Sequence, residues 1–162
     1  MNRRLALLLG FLVAACTEEP TRPTATDLAP LEDGTVRVNV EATPQRDEIT
    51  IITLRIDAKS LALGAYQGRF RFDPAVLEFM DYSVPEGDYR VVNPNSAKDG
   101  EIRYAGFTVQ EFQTPIAVVL RFHSKRVLQL SDLKAELEVV GDVLGREVQR
   151  ERILKPHLQI AR

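Results

Sequence analysis

The chain has 162 residues, 44% hydrophobic and 27% charged, the make-up of one globular domain rather than two large ones. Lys and Arg number 21 against 23 Asp and Glu, so there is neither the basic excess of a nucleic-acid binder nor an acidic tail. One cysteine and two histidines exclude an internal disulfide and leave too few ligands for a Cys/His zinc site; stability has to come from an apolar core.

At the amino terminus Arg3 and Arg4 precede an apolar run from Leu5 to Ala15, which ends in Val13-Ala14-Ala15-Cys16. That length fits the core of a signal peptide and falls short of the roughly 20 residues of a spanning helix. Val13 to Cys16 resembles the lipobox of bacterial lipoproteins, which implies cleavage before Cys16 and lipidation of its thiol. Several acyl chains, at about 0.8 kcal/mol per buried methylene, would then hold the protein at a membrane. Losing Arg3 and Arg4 leaves 19 basic against 23 acidic side chains, a charge of -4. Thr17 stands where lipoproteins kept in the inner membrane often carry Asp, so the resemblance favours the outer membrane, periplasmic or surface-facing.

Thr17 to Gly34 holds three prolines and four threonines with few large apolar residues, too little apolar surface to offset chain entropy. The expected organisation is a signal peptide over 1–15, the lipidated Cys16 and linker over 16–34, and a domain over 35–162.

Within the domain the hydrophobic period is two, the signature of half-buried strands. Val36, Val38 and Val40 alternate with polar residues, as do Ile52, Leu54 and Ile56, then Tyr66, Phe70 and Phe72. Leu77, Phe79 and Tyr82 follow, then Ile102 and Tyr104, Ile116 to Phe122, Leu133 to Val140, Val143 to Val148 and Ile153 to Ile160. Asp73-Pro74, Pro85-Glu86-Gly87, Asn93-Pro94-Asn95, Asp99-Gly100 and Gly141-Asp142 punctuate them as turns. About nine short strands with no helical stripe predict an all-β fold, an antiparallel two-sheet sandwich. Its expected core includes Val38, Leu54, Phe70, Phe72, Leu77, Ile102, Val119 and Leu137.

Residues 64–87, GAYQGRFRFDPAVLEFMDYSVPEG, resemble the cohesin family. An aromatic-alternating strand ends in Phe72-Asp73-Pro74, Val76 and Leu77 follow, and Pro85-Glu86-Gly87 closes the next strand. A weaker likeness over 36–160 includes the Ile49 to Asp57 strand, Asp99-Gly100 before Ile102, Val118 to Phe122, and Gly141-Asp142-Val143 with Gly145. The resemblance implies a jelly-roll sandwich, shared with some carbohydrate-binding modules, and a dockerin-like partner lying across one sheet face. Its outward positions here are Ala65, Gln67, Arg69 and Arg71, with Glu101 and Arg103 on the neighbouring strand. Two successive outward arginines predict a cationic face and an acidic partner. Apart from the resemblance, Asp73-Pro74 reads as a structural corner: Pro74 fixes φ, Asp73 accepts a following N–H, and Val76 and Leu77 plug the sandwich end.

No catalytic pattern emerges. Ser60, Ser83, Ser96, Ser124 and Ser131 lie outside G-x-S-x-G, and no H-E-x-x-H, P-loop or G-x-G-x-x-G occurs. His123 and His157 read as structural or solvated, and Asn93 to Glu101 fails the EF-hand pattern at Ala97 and Lys98. Glu78 and Asp81 read as solvated charges, as does the mixed run Arg146, Glu147, Arg150, Glu151 and Arg152, taken as an exposed strand pair. Tyr66, Tyr82 and Tyr104 share the phase of core residues; Tyr89 is freer, but one ring is no platform for a polysaccharide. The expectation is a lipid-anchored protein-recognition module without enzymatic activity, cofactor or metal. A structural component of an envelope or secretion assembly, or a carbohydrate-binding module, is the alternative.

Overall fold

The structure, a computed structural model, describes residues 30–84 and 89–161. Cys16 with its lipobox, most of the linker, and Pro85-Glu86-Gly87 lie outside the described residues. Nine strands are seen among the described residues: β1 Val36–Pro44, β2 Ile49–Ala58, β3 Leu63–Phe72, β4 Leu77–Ser83, β5 Tyr89–Asn93, β6 Glu101–Phe107, β7 Ile116–Ser124, β8 Leu133–Asp142 and β9 His157–Ile160. They form two sheets of a jelly-roll sandwich, β4-β7-β2-β1-β9 and β5-β6-β3-β8. Pairing is antiparallel except where β9 runs parallel to β1. No helix of the described residues is long and apolar enough to cross a membrane.

Alternation along the strands decides the core, because successive strand residues face opposite sides. Val36, Val38, Val40 and Ala42 of β1, Ile52, Leu54 and Ile56 of β2 and Ile116, Val118, Leu120 and Phe122 of β7 are buried from one sheet. They meet Tyr66, Phe70, Phe72, Ile102, Tyr104, Leu133, Ala135 and Val140 from the other. Phe72 sits edge-on to Phe122 at 4.9 Å and Phe79 packs on Phe122 at 5.7 Å, so one aromatic cluster ties β3, β4 and β7 together.

Six of the eight expected core residues are buried, and Leu137 is half-buried against the core. Val119 is the exception. In β7 the even-numbered residues point inward, which puts Val119 on the outer face beside Thr53 and Ser83. Tyr82 is also exposed rather than core. A register shift between Phe79 and Asp81 breaks the alternation of the edge strand β4, and every β4 residue after it is exposed.

The strand expected over Val143 to Val148 does not form. The Asp142 carboxylate instead accepts N–H bonds from Leu144 and Arg146, Gly145 takes φ +76°, and only a single bridge joins Gly141 to Glu147. That turn and the 3-10 turn at Arg150–Arg152, rather than the expected strand pair, hold the mixed charges. The ninth strand is β5, which has one buried residue, Val92, too little alternation to stand out in sequence. The last strand covers only His157–Ile160.

The corner between β3 and β4 forms as its residues dictate. Ala75 N–H donates to Asp73 Oδ1 at 2.8 Å, the Asp73 carbonyl accepts from Val76 and Leu77, and both apolar residues are fully buried. Facing it, Gly100 has φ +79°, and a Cβ there would meet the Phe72 carbonyl oxygen at 2.3 Å. That position requires glycine on both counts.

Candidate functional site

The outer face of the β5-β6-β3-β8 sheet gathers every residue expected to contact a partner. β6 pairs with β3 in a register that sets Ala105 opposite Gln67, Arg103 opposite Arg69 and Glu101 opposite Arg71. On the other side of β3, β8 sets Glu136 opposite Arg69 and Lys134 opposite Arg71.

The arginines do not make this face cationic. Arg69 ion-pairs with Glu136 at 3.1 Å and with Glu138, and Lys134 reaches Glu136 at 2.6 Å. Glu101 takes Arg71 Nε on one oxygen and Arg103 Nε on the other, each at 3.0 Å. Gln67 Nε2 lies 3.4 Å from Glu138 Oε2. Four cations thus face three carboxylates, and the patch is almost neutral. Strand alternation shows which residues face outward, but the carboxylates come from β6 and β8, whose placement beside β3 is tertiary. Hydrogen bonds from Arg71 and then Arg103 hold the Glu101 carboxyl below its usual range, and Lys134 does the same for Glu136.

Beneath the lattice the backbone is fixed by aromatic rings lying on glycines. Tyr104 is the cross-strand partner of Gly68, and Tyr66 of Gly106. A Cβ at Gly68 would come within 2.5 Å of the Tyr104 ring, and one at Gly106 within 2.6 Å of the Tyr66 ring. The buried Tyr104 hydroxyl donates to the Glu136 carbonyl at 3.2 Å, and burial pushes its pKa well up. β6 and β8 are thereby locked in register under Arg69.

The same face changes character along the strands. The rung beyond the arginines carries Val91, Ala105, Gln67 and Val139, and the last rung carries Tyr89, Phe107, Ala65 and Gly141. Tyr89 and Phe107 stack at 4.8 Å with 8° between their planes, and they are 70% and 55% exposed. In the sequence Tyr89 stands as an isolated ring. Its partner is Phe107, whose outward phase opposite Tyr104 was the available signal; the pairing of β5 with β6 brings the two together. The rings stack on each other rather than lying side by side, so they offer no extended platform to a glycan chain.

The neighbouring His123 and Ser124 make no catalytic pair. His123 Nε2 pairs with Glu48 at 3.0 Å, but the adjacent Ser124 bonds Thr50 Oγ1 at 2.6 Å. As consecutive residues of β7 the two point to opposite sides of the sheet, so they cannot form a nucleophile–base pair. Glu78 and Asp81 are each paired, with Lys125 at 3.3 Å and with Arg121. Among the described residues no group of three or more His, Cys, Asp or Glu side chains is arranged to hold a metal ion. The Asn93 to Glu101 loop is closed by its own bonds, Asn95 N–H to Asn93 Oδ1 at 3.0 Å and Gly100 N–H to the Ala97 carbonyl. Beside the lattice, a shallow hollow of about 350 Å³ is lined by Arg69, Glu136, Glu138, Arg150 and Lys155 among others.

No protein-family model matches the chain and no curated protein matches it. Solved structures do. A type I cohesin–dockerin complex from Clostridium thermocellum contains a chain with TM-score 0.58 and 12% identity, the match covering 83% of this chain and 98% of that one. A non-cellulosomal cohesin from the hyperthermophilic archaeon Archaeoglobus fulgidus gives 0.55 at 12% identity, over 79% and 92%. A cohesin module from a Clostridium perfringens family 33 glycoside hydrolase gives 0.50 at 14% identity, over 78% and 98%. At such identities the likeness is one of fold.

Proposed function

We propose that this protein is an exported, lipid-anchored recognition module that holds a secreted or envelope protein against the outer face of its four-stranded sheet. The observation that carries this reading is the convergence of Gln67, Arg69, Arg71, Glu101 and Arg103 on one sheet face, braced by Glu136 and Glu138. Side chains already held in one geometry lose little freedom on binding, which favours recognition. Arginine is also over-represented at protein interfaces. The cohesin fold supports the same reading, since one of the similar chains is in complex with a dockerin. Its charged side chains are engaged in ion pairs with one another, which suits binding better than an enzymatic reaction. The near-neutral lattice favours a partner carrying both signs of charge over a purely acidic one. Cys16 and the sequence before it support export and anchoring, with the outer membrane as destination.

The whole chain, cross-linked to envelope and secreted proteins, tests this reading against an Arg69→Gln/Arg71→Gln variant. Glutamine avoids piling negative charge on Glu101, Glu136 and Glu138. A protein captured by the original chain should bind the variant at least tenfold more weakly, about 1.4 kcal/mol, while the melting profile stays in place. Unchanged affinity would move the site off this face. Capture of an envelope complex indifferent to the face would favour the structural-component alternative.

A further inference from the structure

The two ends of the sandwich differ in what they expose. Where β1 begins, Gly34 N–H bonds the Lys59 carbonyl at 2.7 Å, fixing the point at which the chain enters. At that same end lie the Tyr89–Phe107 stack on the last rung, Val109 at 93% exposure and Leu144 at 71%. The loop bearing Val109 is held there by Thr108 N–H to the Gly64 carbonyl and Phe112 N–H to the Leu63 carbonyl. Val143 N–H to the Ala62 carbonyl holds the turn bearing Leu144. The opposite end, among the described residues, exposes only Val127 and Leu130 as large hydrophobics; exposed charges occur at both ends, Asp33, Lys59, Glu111 and Arg146 at the entry end and Arg46, Asp47, Glu48 and Lys98 at the other.

We infer that the end where the chain enters seats on the lipid surface, with Tyr89, Phe107, Val109 and Leu144 set into the bilayer interface. This rests on the anchoring part of the proposed function. Cys16 lies 14 positions before Pro30, a reach of no more than about 46 Å. A lipid on Cys16 therefore holds this end of the domain nearer the membrane than the opposite end, which lies a strand's length, about 30 Å, farther on. Tyrosine and phenylalanine suit the interface, where an apolar ring body meets lipid and the tyrosine hydroxyl stays hydrated. Four large exposed apolar side chains clustered at one end mark a contact surface rather than scattered exposure. Tethering raises the local concentration to the millimolar range, so a seat too weak to bind free protein is occupied in an anchored one. The lattice around Arg69 and Arg71 lies farther along the strands and stays open to a partner.

The chain has no tryptophan, so Val109→Trp and Leu144→Trp each supply a single reporter on a separate loop, and Val127→Trp supplies one at the far end. The whole protein, extracted from membranes, is reconstituted into phosphatidylethanolamine–phosphatidylglycerol vesicles with or without brominated acyl chains. The reporters at 109 and 144 should shift to the blue and be quenched at least threefold by brominated lipid, with the reporter at 127 unaffected. No quenching at either loop, or equal quenching at all three positions, overturns the seat. A blue shift without quenching overturns it too, because a protein then covers the patch. So does a dimer in detergent that dissociates on Tyr89→Ser/Phe107→Ser, which would give the patch to a second copy. The mass of the same preparation separates the two readings. Unmodified Cys16 with quenched loops sinks the anchoring but leaves the seat, and lipidated Cys16 with unquenched loops does the reverse.

Discussion

Along the same four strands, the rungs through Arg69 and Arg71 and the rungs through Ala65 and Gln67 build opposite surfaces. The first is a lattice in which each charge has a counter-charge within a few ångströms. The second is largely apolar and ends in a stacked ring pair open to solvent. Residues that look unusual in sequence, the paired arginines, turn out to be satisfied by their neighbours, whereas an ordinary-looking Phe and Tyr are not. Exposed ion pairs contribute little to stability because water competes for both partners, but they fix geometry. Exposed rings gain from whatever removes them from water. One face can thus serve a partner with its charged half and a lipid surface with its apolar end.

The largest expected effect comes from the layer beneath the charged half. Phe70 lies fully buried between Arg69 and Arg71 in β3, so Phe70→Ala should cost about 3–5 kcal/mol in urea denaturation. Loss of less than about 1 kcal/mol would mean that the lattice does not stand on this core. A smaller loss, about 1–3 kcal/mol, is expected from Gly68→Ala. Its added methyl would press on the Tyr104 ring and on the Glu136 carbonyl, both at 2.5 Å. Gly106→Ala, pressing on Tyr66 under the apolar half, should cost about as much, and a large inequality would show that the two halves are not equally supported.

Acid should separate the halves further. Glu101 and Glu136 have folded-state pKa values below the ordinary 4.5, so their contribution is fully present above that value and is lost as pH falls through the lower, folded values. Denaturation midpoints measured from pH 6 to pH 2 should fall less steeply below pH 4.5 in Glu101→Gln/Glu136→Gln than in the original chain. Parallel curves would mean that the lattice does not hold these carboxyls ionised. The smallest effect belongs to the apolar end, where Tyr89→Ala should change the denaturation free energy by less than about 1 kcal/mol, since the ring is mostly exposed and loses one stacking partner. A larger loss would make the stack part of the core rather than a surface held ready for contact.

Composition, period-two alternation and turn residues were enough to read an all-β sandwich and most of its core, because alternation is a local property written into each strand. The Asp73-Pro74 corner was equally legible, since its hydrogen bonds run between residues two to four apart. Val119 and Tyr82 were misassigned, for two different reasons. Val118-Val119 offers two apolar residues in succession, and only pairing with β2 and β4 decides which faces inward; the phase at Tyr82 is reset by an irregularity that leaves no composition signal. The outward phase of Gln67, Arg69 and Arg71 could be read from β3 alone. That Glu101, Glu136 and Glu138 neutralise the arginines, and that Phe107 gives Tyr89 a partner, could not. Apart from Glu101 and Arg103, which share one face of β6 two positions apart, those relations join residues 18 to 69 positions apart, and cross-strand neighbours exist only once the chain has chosen which strands lie side by side.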